Sequence, residues 1–126
     1  MIIGVGTDLI EISRVIKACS KSSFQEKIFT KDEIKLCKND KVKFADNFAV
    51  KESISKMLGT GFANIRPIDI EVLRDSKGKP YVNMYGSCLE KSKELGIRKV
   101  FVSISNTKDF SLAFVIGEGG IDTCKE

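Results

Sequence analysis

Residues 44–58 (FADNFAVKESISKML) read as one helix that stops at Gly59, and the rest of the chain has to be arranged around it. At about 100° per residue, Phe44, Ala45, Phe48 and Ala49 fall on one arc. Glu52 projects into the middle of that arc, with Ser55 and Lys56 beside it. A carboxylate aimed along an apolar stripe needs a cation, a metal or a set of donors, because an unpaired buried charge is very costly. An ion pair with Lys56 also satisfies it, since Glu four residues before Lys is the favourable order on a helix. A second acid, Asp8, ends the apolar run Ile2-Ile3-Gly4-Val5-Gly6-Thr7, where a turn or cap role is the plain alternative. Two acids with a lysine one turn beyond the second describe a site for a hard cation and a phosphate.

The bulk numbers narrow the chemistry. A chain of 126 residues, 42% hydrophobic and 30% charged, is the size and composition of one globular domain. It has no histidine, which excludes Ser-His-Asp and Cys-His catalysis and the common zinc sites. Any acid–base work falls to Asp, Glu, Lys, Tyr, Cys or a bound metal. Cys19, Cys37, Cys88 and Cys124 are too widely spaced for a zinc pair and read as free thiols, the first three as small buried hydrophobes. No apolar run reaches the roughly 18 residues of a membrane span, and no basic-then-apolar leader opens the chain. The expected location is the cytoplasm, with no membrane partner. The net charge of +4 suits an acidic partner or an anionic substrate. With 8% aromatics and only short basic clusters, nucleic acid is not expected.

Residues 2–6 read as a first strand and 11–20 as a helix with Ile12, Val15, Ile16 and Cys19 inward. Arg14, Lys17 and Lys21 make a basic outer edge, either a solvated face or a docking surface for an acidic helix. Thr30 and Glu33 form a capping box for a helix running to about Lys38. Residues 39–43 read as a connector. Beyond Gly59, residues 68–72 alternate as a strand, 75–78 turn, and 81–85 return. Residues 87–95 read as a helix capped by Gly96. Val100, Val102 and Ile104 share a face of a third strand. Phe110, Leu112, Phe114 and Ile116 share a face of a fourth, across a turn at 106–109. Residues 117–126 are expected to be a loose end. Helices first and antiparallel strands later make an α+β fold. Gly59-Thr60-Gly61 follows a helix instead of preceding one, so it reads as a cap and exit turn, with backbone amides that are free to meet an anion.

The ordered set of Gly4-Val5-Gly6-Thr7-Asp8-Leu9-Ile10-Glu11, Phe29-Thr30-Lys31-Asp32-Glu33, the stretch from Phe48 to Gly61, Asp69-Ile70-Glu71-Val72, Gly78-Lys79-Pro80 and Val102-Ser103-Ile104-Ser105 resembles the holo-(acyl-carrier-protein) synthases, small bacterial 4′-phosphopantetheinyl transferases. The resemblance covers residues 1–118, leaving 119–126 as a tail. It implies a long central helix packed on a small antiparallel sheet, in a homotrimer with active sites between neighbours. It implies transfer of 4′-phosphopantetheine from coenzyme A to a serine of apo acyl carrier protein in fatty acid biosynthesis, releasing adenosine 3′,5′-bisphosphate. It implies that Asp8 and Glu52 bind Mg2+ with the coenzyme A diphosphate, and that Glu52, or water beside it, helps deprotonate the serine. It implies that Lys56 contacts the diphosphate and assists the leaving group. It implies that Ser55, Lys56, Gly59, Thr60, Gly61, Pro80, Asn106 and Thr107 line the coenzyme A cleft, and that Arg14, Lys17 and Lys21 receive the carrier.

Two positions depart from the family pattern. Asp46-Asn47 stands where the family commonly has Gly-Arg, and Asn106 where it commonly has His. Both usual residues lie near coenzyme A phosphates in the family picture, so a compensating cation is expected, Arg66 or Lys108. The same departures motivate an alternative, a degenerate paralogue that binds coenzyme A or carrier without efficient turnover. A non-catalytic basic binding module is a weaker third reading.

Overall fold

The structure, a computed structural model, describes residues 1–120. The chain runs β1 (Ile2–Glu11), α1 (Ile12–Ala18), α2 (Ser22–Ile28), α3 (Lys31–Cys37), α4 (Val42–Met57), a short 3-10 turn (Pro67–Asp69), β2 (Ile70–Arg74), β3 (Pro80–Met84), α5 (Gly86–Leu95), β4 (Ile97–Asn106) and β5 (Phe110–Gly119). Every pairing is antiparallel. β1, β5 and β4 form one sheet in that order, and β2 and β3 form a separate hairpin. The fold is α+β, with α4 as its long central helix packed on the small antiparallel β1-β5-β4 sheet as expected, and the β2–β3 hairpin beside it. No described helix is long and apolar enough to cross a membrane.

Several local expectations hold. Thr30 Oγ1 accepts from the Glu33 amide at 3.2 Å while Glu33 Oε1 accepts from the Thr30 amide at 3.0 Å, the reciprocal capping box. Gly96 ends α5 with φ of 82°. Cys19, Cys37 and Cys88 are buried free thiols. Others are corrected. β1 continues five residues past Gly6, because residues 7–11 keep pairing with 110–114 of β5, so Asp8 sits within the strand opposite Ala113. α4 starts at Val42, inside the expected connector. Residues 67–69 coil into the 3-10 turn because Pro67 starts it, which delays β2 to Ile70. Residues 117–119 are strand, not a loose end. The rest of the expected tail, with Cys124, lies outside the described residues.

The largest correction concerns α4. It has no single apolar stripe. Phe44, Ala45, Asp46, Asn47, Ala49, Val50, Lys51, Ser53, Ile54, Ser55 and Met57 are all buried, so the helix is covered on nearly every side. Its first half joins Ile12, Val15, Phe29 and Cys37 in one cluster. Its second half joins Ile70, Val72, Ala113 and Val115 in another. The fully buried carboxylate is Glu33, not Glu52. Glu33 Oε1 accepts from Lys51 Nζ at 2.8 Å, with both side chains fully buried. Glu33 Oε2 accepts from Asn47 Nδ2 at 3.1 Å and from the Val72 amide at 3.2 Å. Lys51 also donates to the carbonyls of Pro67 and Ile70, tying α4 to the start of β2. Burial pushes the Glu33 carboxyl up and the Lys51 ammonium down, while their attraction opposes both shifts.

A chain of close approaches fixes how α4 lies on β1. A Cβ built on Gly6 would stand 1.8 Å from the Ser53 carbonyl oxygen, well inside contact distance. Glycine therefore lets the two backbones touch where any side chain would separate them.

Removing one partner of the buried pair leaves a charge stranded. Lys51→Met is expected to destabilise the fold by about 3–5 kcal/mol, read as a lower midpoint in urea unfolding.

Candidate functional site

Gly4, Gly6, Asp8 and Ile10 alternate onto the face of β1 that meets α4. The glycines bring the strand close to Ser53 and Met57, which places the next inward residue, Asp8, beside the α4 turn holding Glu52 and Lys56. Asp8 and Glu52 line one cavity of about 400 Å³, with Ile10, Glu11, Arg14 and Phe48 also in its walls. Glu52 is half-buried there. Burial raises its carboxyl pKa, the nearby Asp8 charge raises it further, and Lys56 opposes the shift. The helical Glu52–Lys56 pair does not form. Lys56 Nζ instead donates to Asp8 Oδ1 at 2.8 Å and to the Thr7 carbonyl at 3.1 Å. The bond to Asp8 raises the Lys56 ammonium pKa and keeps it charged. Two carboxylates thus share a cavity with one exposed cation on the outer one, an arrangement that favours a further positive charge. Among the described residues, no cluster of three or more acids or cysteines is placed to hold a metal unaided.

The residues expected along the nucleotide divide. Ser55 is buried, and its hydroxyl donates to the Glu52 carbonyl at 2.6 Å, steadying that turn. Gly59 takes a left-handed φ of 76° to end α4. The amides of Thr60 and Gly61 both donate to the Ser55 carbonyl at 3.2 Å, and the Gly59 amide to Lys56. These amides are spent on the helix end and are not free for an anion, contrary to the expectation for this loop. Pro80 and Asn106 line a second cavity of about 440 Å³ with Lys43, Asp46 and Arg74. Thr107 Oγ1 accepts from the Asp109 and Phe110 amides, at 3.3 and 3.1 Å, so it braces the β4–β5 turn.

The two departures have different meanings. Asn47 is fully buried, bonded to Glu33 and to the Val72 carbonyl at 2.9 Å, and does not line the second cavity. The position where the family commonly has Arg is thus occupied here by a core residue. Asn106 Nδ2 donates to both oxygens of Asp46, at 2.9 and 3.1 Å, and Ser111 Oγ donates to Asp46 at 2.7 Å. The two unusual residues Asp46 and Asn106 are therefore partners. Arg66 is taken by Asp69, at 3.2 Å. Sequence reasoning missed Arg74 in this cavity, because nothing local marks a lysine or arginine at a strand end as cavity-lining.

Arg14 connects the acidic cavity to its neighbour. It lines both that cavity and an adjoining groove of about 540 Å³, whose walls include Lys17, Lys21 and Phe24. The basic edge of α1 thus borders the cavity that contains Asp8 and Glu52.

Residues 4–115 match the model of the 4′-phosphopantetheinyl transferase superfamily. The chain is 55% identical, over 94% of its length and 97% of the relative's, to a holo-[acyl-carrier-protein] synthase of Lachnoclostridium phytofermentans. The structure superposes with a TM-score of 0.84 on the holo-[acyl-carrier-protein] synthase of Neisseria meningitidis, 31% identical, covering 94% of this chain and 99% of that one. It superposes with a TM-score of 0.78 on the Bacillus anthracis enzyme in complex with CoA (3′,5′-ADP), 33% identical, covering 95% and 99%.

Because folding raises the Glu52 carboxyl pKa, the ionised side chain costs stability that the protonated one does not. Glu52→Gln is therefore expected to melt a few degrees higher than the parent in metal-free buffer near neutral pH. Thermal scans should show the gap closing as pH falls through the raised Glu52 value and the parent carboxyl takes up its proton.

Proposed function

The chain belongs to the 4′-phosphopantetheinyl transferase superfamily, and we propose that it transfers 4′-phosphopantetheine from coenzyme A to a serine of apo acyl carrier protein in fatty acid biosynthesis. Adenosine 3′,5′-bisphosphate is the other product. The observation that carries this reading is the meeting of Asp8 and Glu52 at one cavity bordered by the Arg14 groove, with Lys56 bonded to Asp8. The residues fit a hard divalent ion. Both acids offer oxygen, and Glu52 is held in a partly buried, negatively charged setting that a cation would relieve. Two carboxylates fill only part of a magnesium shell, which leaves room for the oxygens of a substrate diphosphate. Mg2+ bound by Asp8 and Glu52 would neutralise charge on the diphosphate during phosphoryl transfer.

The chain's own groups do the rest. Glu52, or water beside it, helps take the proton from the attacking serine hydroxyl. Lys56, held charged by Asp8, reaches the diphosphate and stabilises the departing oxygen. Ser55 steadies the Glu52 turn, while Gly59, Thr60, Gly61, Pro80, Asn106 and Thr107 shape the surfaces offered to the rest of coenzyme A. Arg14, Lys17 and Lys21 receive an acidic surface of the carrier.

We assign this activity to residues 1–118 as one domain, acting in the cytoplasm as a homotrimer. The buried free thiols suit a reducing compartment. The assembly is supported by the outer face of the larger sheet. Val5, Leu9, Phe101, Phe110, Leu112 and Phe114 are all exposed there, in neighbouring strands and in register. An apolar patch of this kind is rarely left open to water.

Four measurements test the proposal. Incubated with magnesium, coenzyme A and apo carrier, the protein should add one phosphopantetheine to the carrier by mass spectrometry. Asp8→Ala and Glu52→Ala should each cut the rate by on the order of 1,000-fold while keeping the far-UV spectrum. Near-normal rates in either would remove the metal assignment. Arg14→Glu with Lys17→Glu should raise KM for the carrier about ten-fold and leave KM for coenzyme A close to its parent value. Leu112→Glu should yield a smaller species than the parent in sedimentation velocity.

A further inference from the structure

Lys31, Lys35 and Lys38 stand four and three residues apart on one face of α3, and Lys41 follows just before α4. All four are exposed, and all four rim one cavity of about 390 Å³ between α2, α3 and the start of α4. Like charges at these spacings repel along a helix, so the cluster does not serve the stability of α3. The acids around it do not neutralise it. Glu33 turns inward to Lys51, and Asp40 lies toward Lys43 at 3.9 Å. Glu26 and Asp32 are exposed, and among the described residues no carboxylate oxygen comes within 4.0 Å of any of the four ammonium groups. The floor has the opposite character. It is made by Ile34, Cys37 and Phe44, which belong to the apolar cluster at the first half of α4. Gln25 also lines the wall, and its amide nitrogen already donates to the Cys19 carbonyl at 2.6 Å. No described hydroxyl or acidic side chain lines the cavity, so the hydroxyls of a sugar would find little to donate to.

We propose that this cavity binds a free medium-chain fatty acid, with the carboxylate among the lysines and the hydrocarbon chain along Ile34, Cys37 and Phe44. The head is an anion, because every charged group in the wall is a cation. The body is apolar, because the floor offers only carbon and sulfur. The volume falls at the lower end of the range for small-ligand pockets, about 300–1,000 Å³, and suits one short chain better than a broad protein contact. Lysines are point charges that demand no planar, two-pronged partner, so a carboxylate on a mobile chain can use any of the four. The cavity is separate from the groove given to the carrier. The two share no lining residue: Phe24 belongs to that groove, and Gln25 to this cavity. It shares none with the Asp8–Glu52 cavity either, so the inference stands apart from the coenzyme A reading.

The test is calorimetric titration of the full chain with dodecanoate below its micelle concentration. Dodecanoate should bind one per chain and raise the melting temperature. Octanoate should bind at least about ten-fold more weakly, because it buries fewer methylenes. Acetate, which lacks the chain, and dodecyltrimethylammonium, which reverses the charge, should show no binding over the same range. Lys35→Gln with Lys38→Gln should weaken dodecanoate about ten-fold, the worth of two exposed charge contacts, and Lys35→Glu with Lys38→Glu should abolish its binding. Both lysines are exposed, and thermal melting of the free variants confirms that they are folded. No binding by the parent, equal affinity for octanoate and dodecanoate, or unchanged affinity in both double variants overturns the proposal. A melting temperature lowered by dodecanoate also overturns it, as the mark of a detergent. Dodecanoate affinity lost in Arg14→Glu with Lys17→Glu but kept in the α3 variants would place the chain in the carrier groove and overturn it as well. Apo carrier or phosphatidylglycerol vesicles that need Lys35 and Lys38, with no binding of monomeric dodecanoate, would replace the fatty acid by an acidic protein or a membrane surface.

Discussion

The backbone contact between Gly6 and Ser53 governs the geometry of everything proposed for this chain. Helices usually pack on sheets through side chains, which hold the backbones well apart. Here the strand presents hydrogen where a Cβ would overlap the Ser53 carbonyl oxygen, so α4 settles directly onto β1. Ser53 makes use of this closeness: its hydroxyl shares its one proton between the Ala49 carbonyl within the helix, at 2.8 Å, and the Ala113 carbonyl across in β5, at 3.2 Å. With the helix pinned there, Asp8 is two residues further along the same strand face, and Glu52 and Lys56 flank the contact on the helix. The two acids are near one another because glycine removed the spacer between their elements.

A site of this kind is electrostatically unfavourable when metal-free, and the surrounding structure has to hold it open. The Glu33–Lys51–Asn47 network is well suited to that task. It lies on the side of α4 away from β1 and bonds the helix to the capping box of α3 and to the first residues of β2. A buried pair of this type contributes little net stability over an apolar replacement. Its value is directional, because each bond specifies one rotation of α4 about its axis. Lys51 and Glu52 are adjacent, so the rotation that buries Lys51 turns Glu52 about 100° away, toward the open groove. The inward cation and the outward acid are two consequences of one setting of the helix.

How much of this was legible in the sequence follows the range of the signals. The capping box, the Gly96 cap, the β2–β3 hairpin and the existence of α4 depend on residues a few positions apart, and each was readable. The buried pair was not, since Glu33 and Lys51 belong to different helices and no local pattern links them. Its absence from the reading led to a specific error. A helix covered on all sides has no clean periodicity, and the burial was assigned to Glu52, one position from the residue that owns it. The strand at 110–116 shows another limit. Alternation correctly grouped Phe110, Leu112, Phe114 and Ile116 on one face, but it could not say which face meets the core. The inward face carries the small residues Ser111, Ala113 and Gly117 with Val115, because α4 lies too close for larger ones.

That inversion has a functional consequence. Large apolar side chains on the outer face of a three-stranded sheet, and small ones against the helix, are poor choices for an isolated subunit. They become reasonable when the outer faces of several copies meet, which is the arrangement proposed for this chain. The same alternation serves the site. Small residues on the inner faces of β1 and β5 let α4 approach, which sets Asp8 beside Glu52, and the large apolar side chains displaced to the outer face are the surface that the proposed assembly would cover.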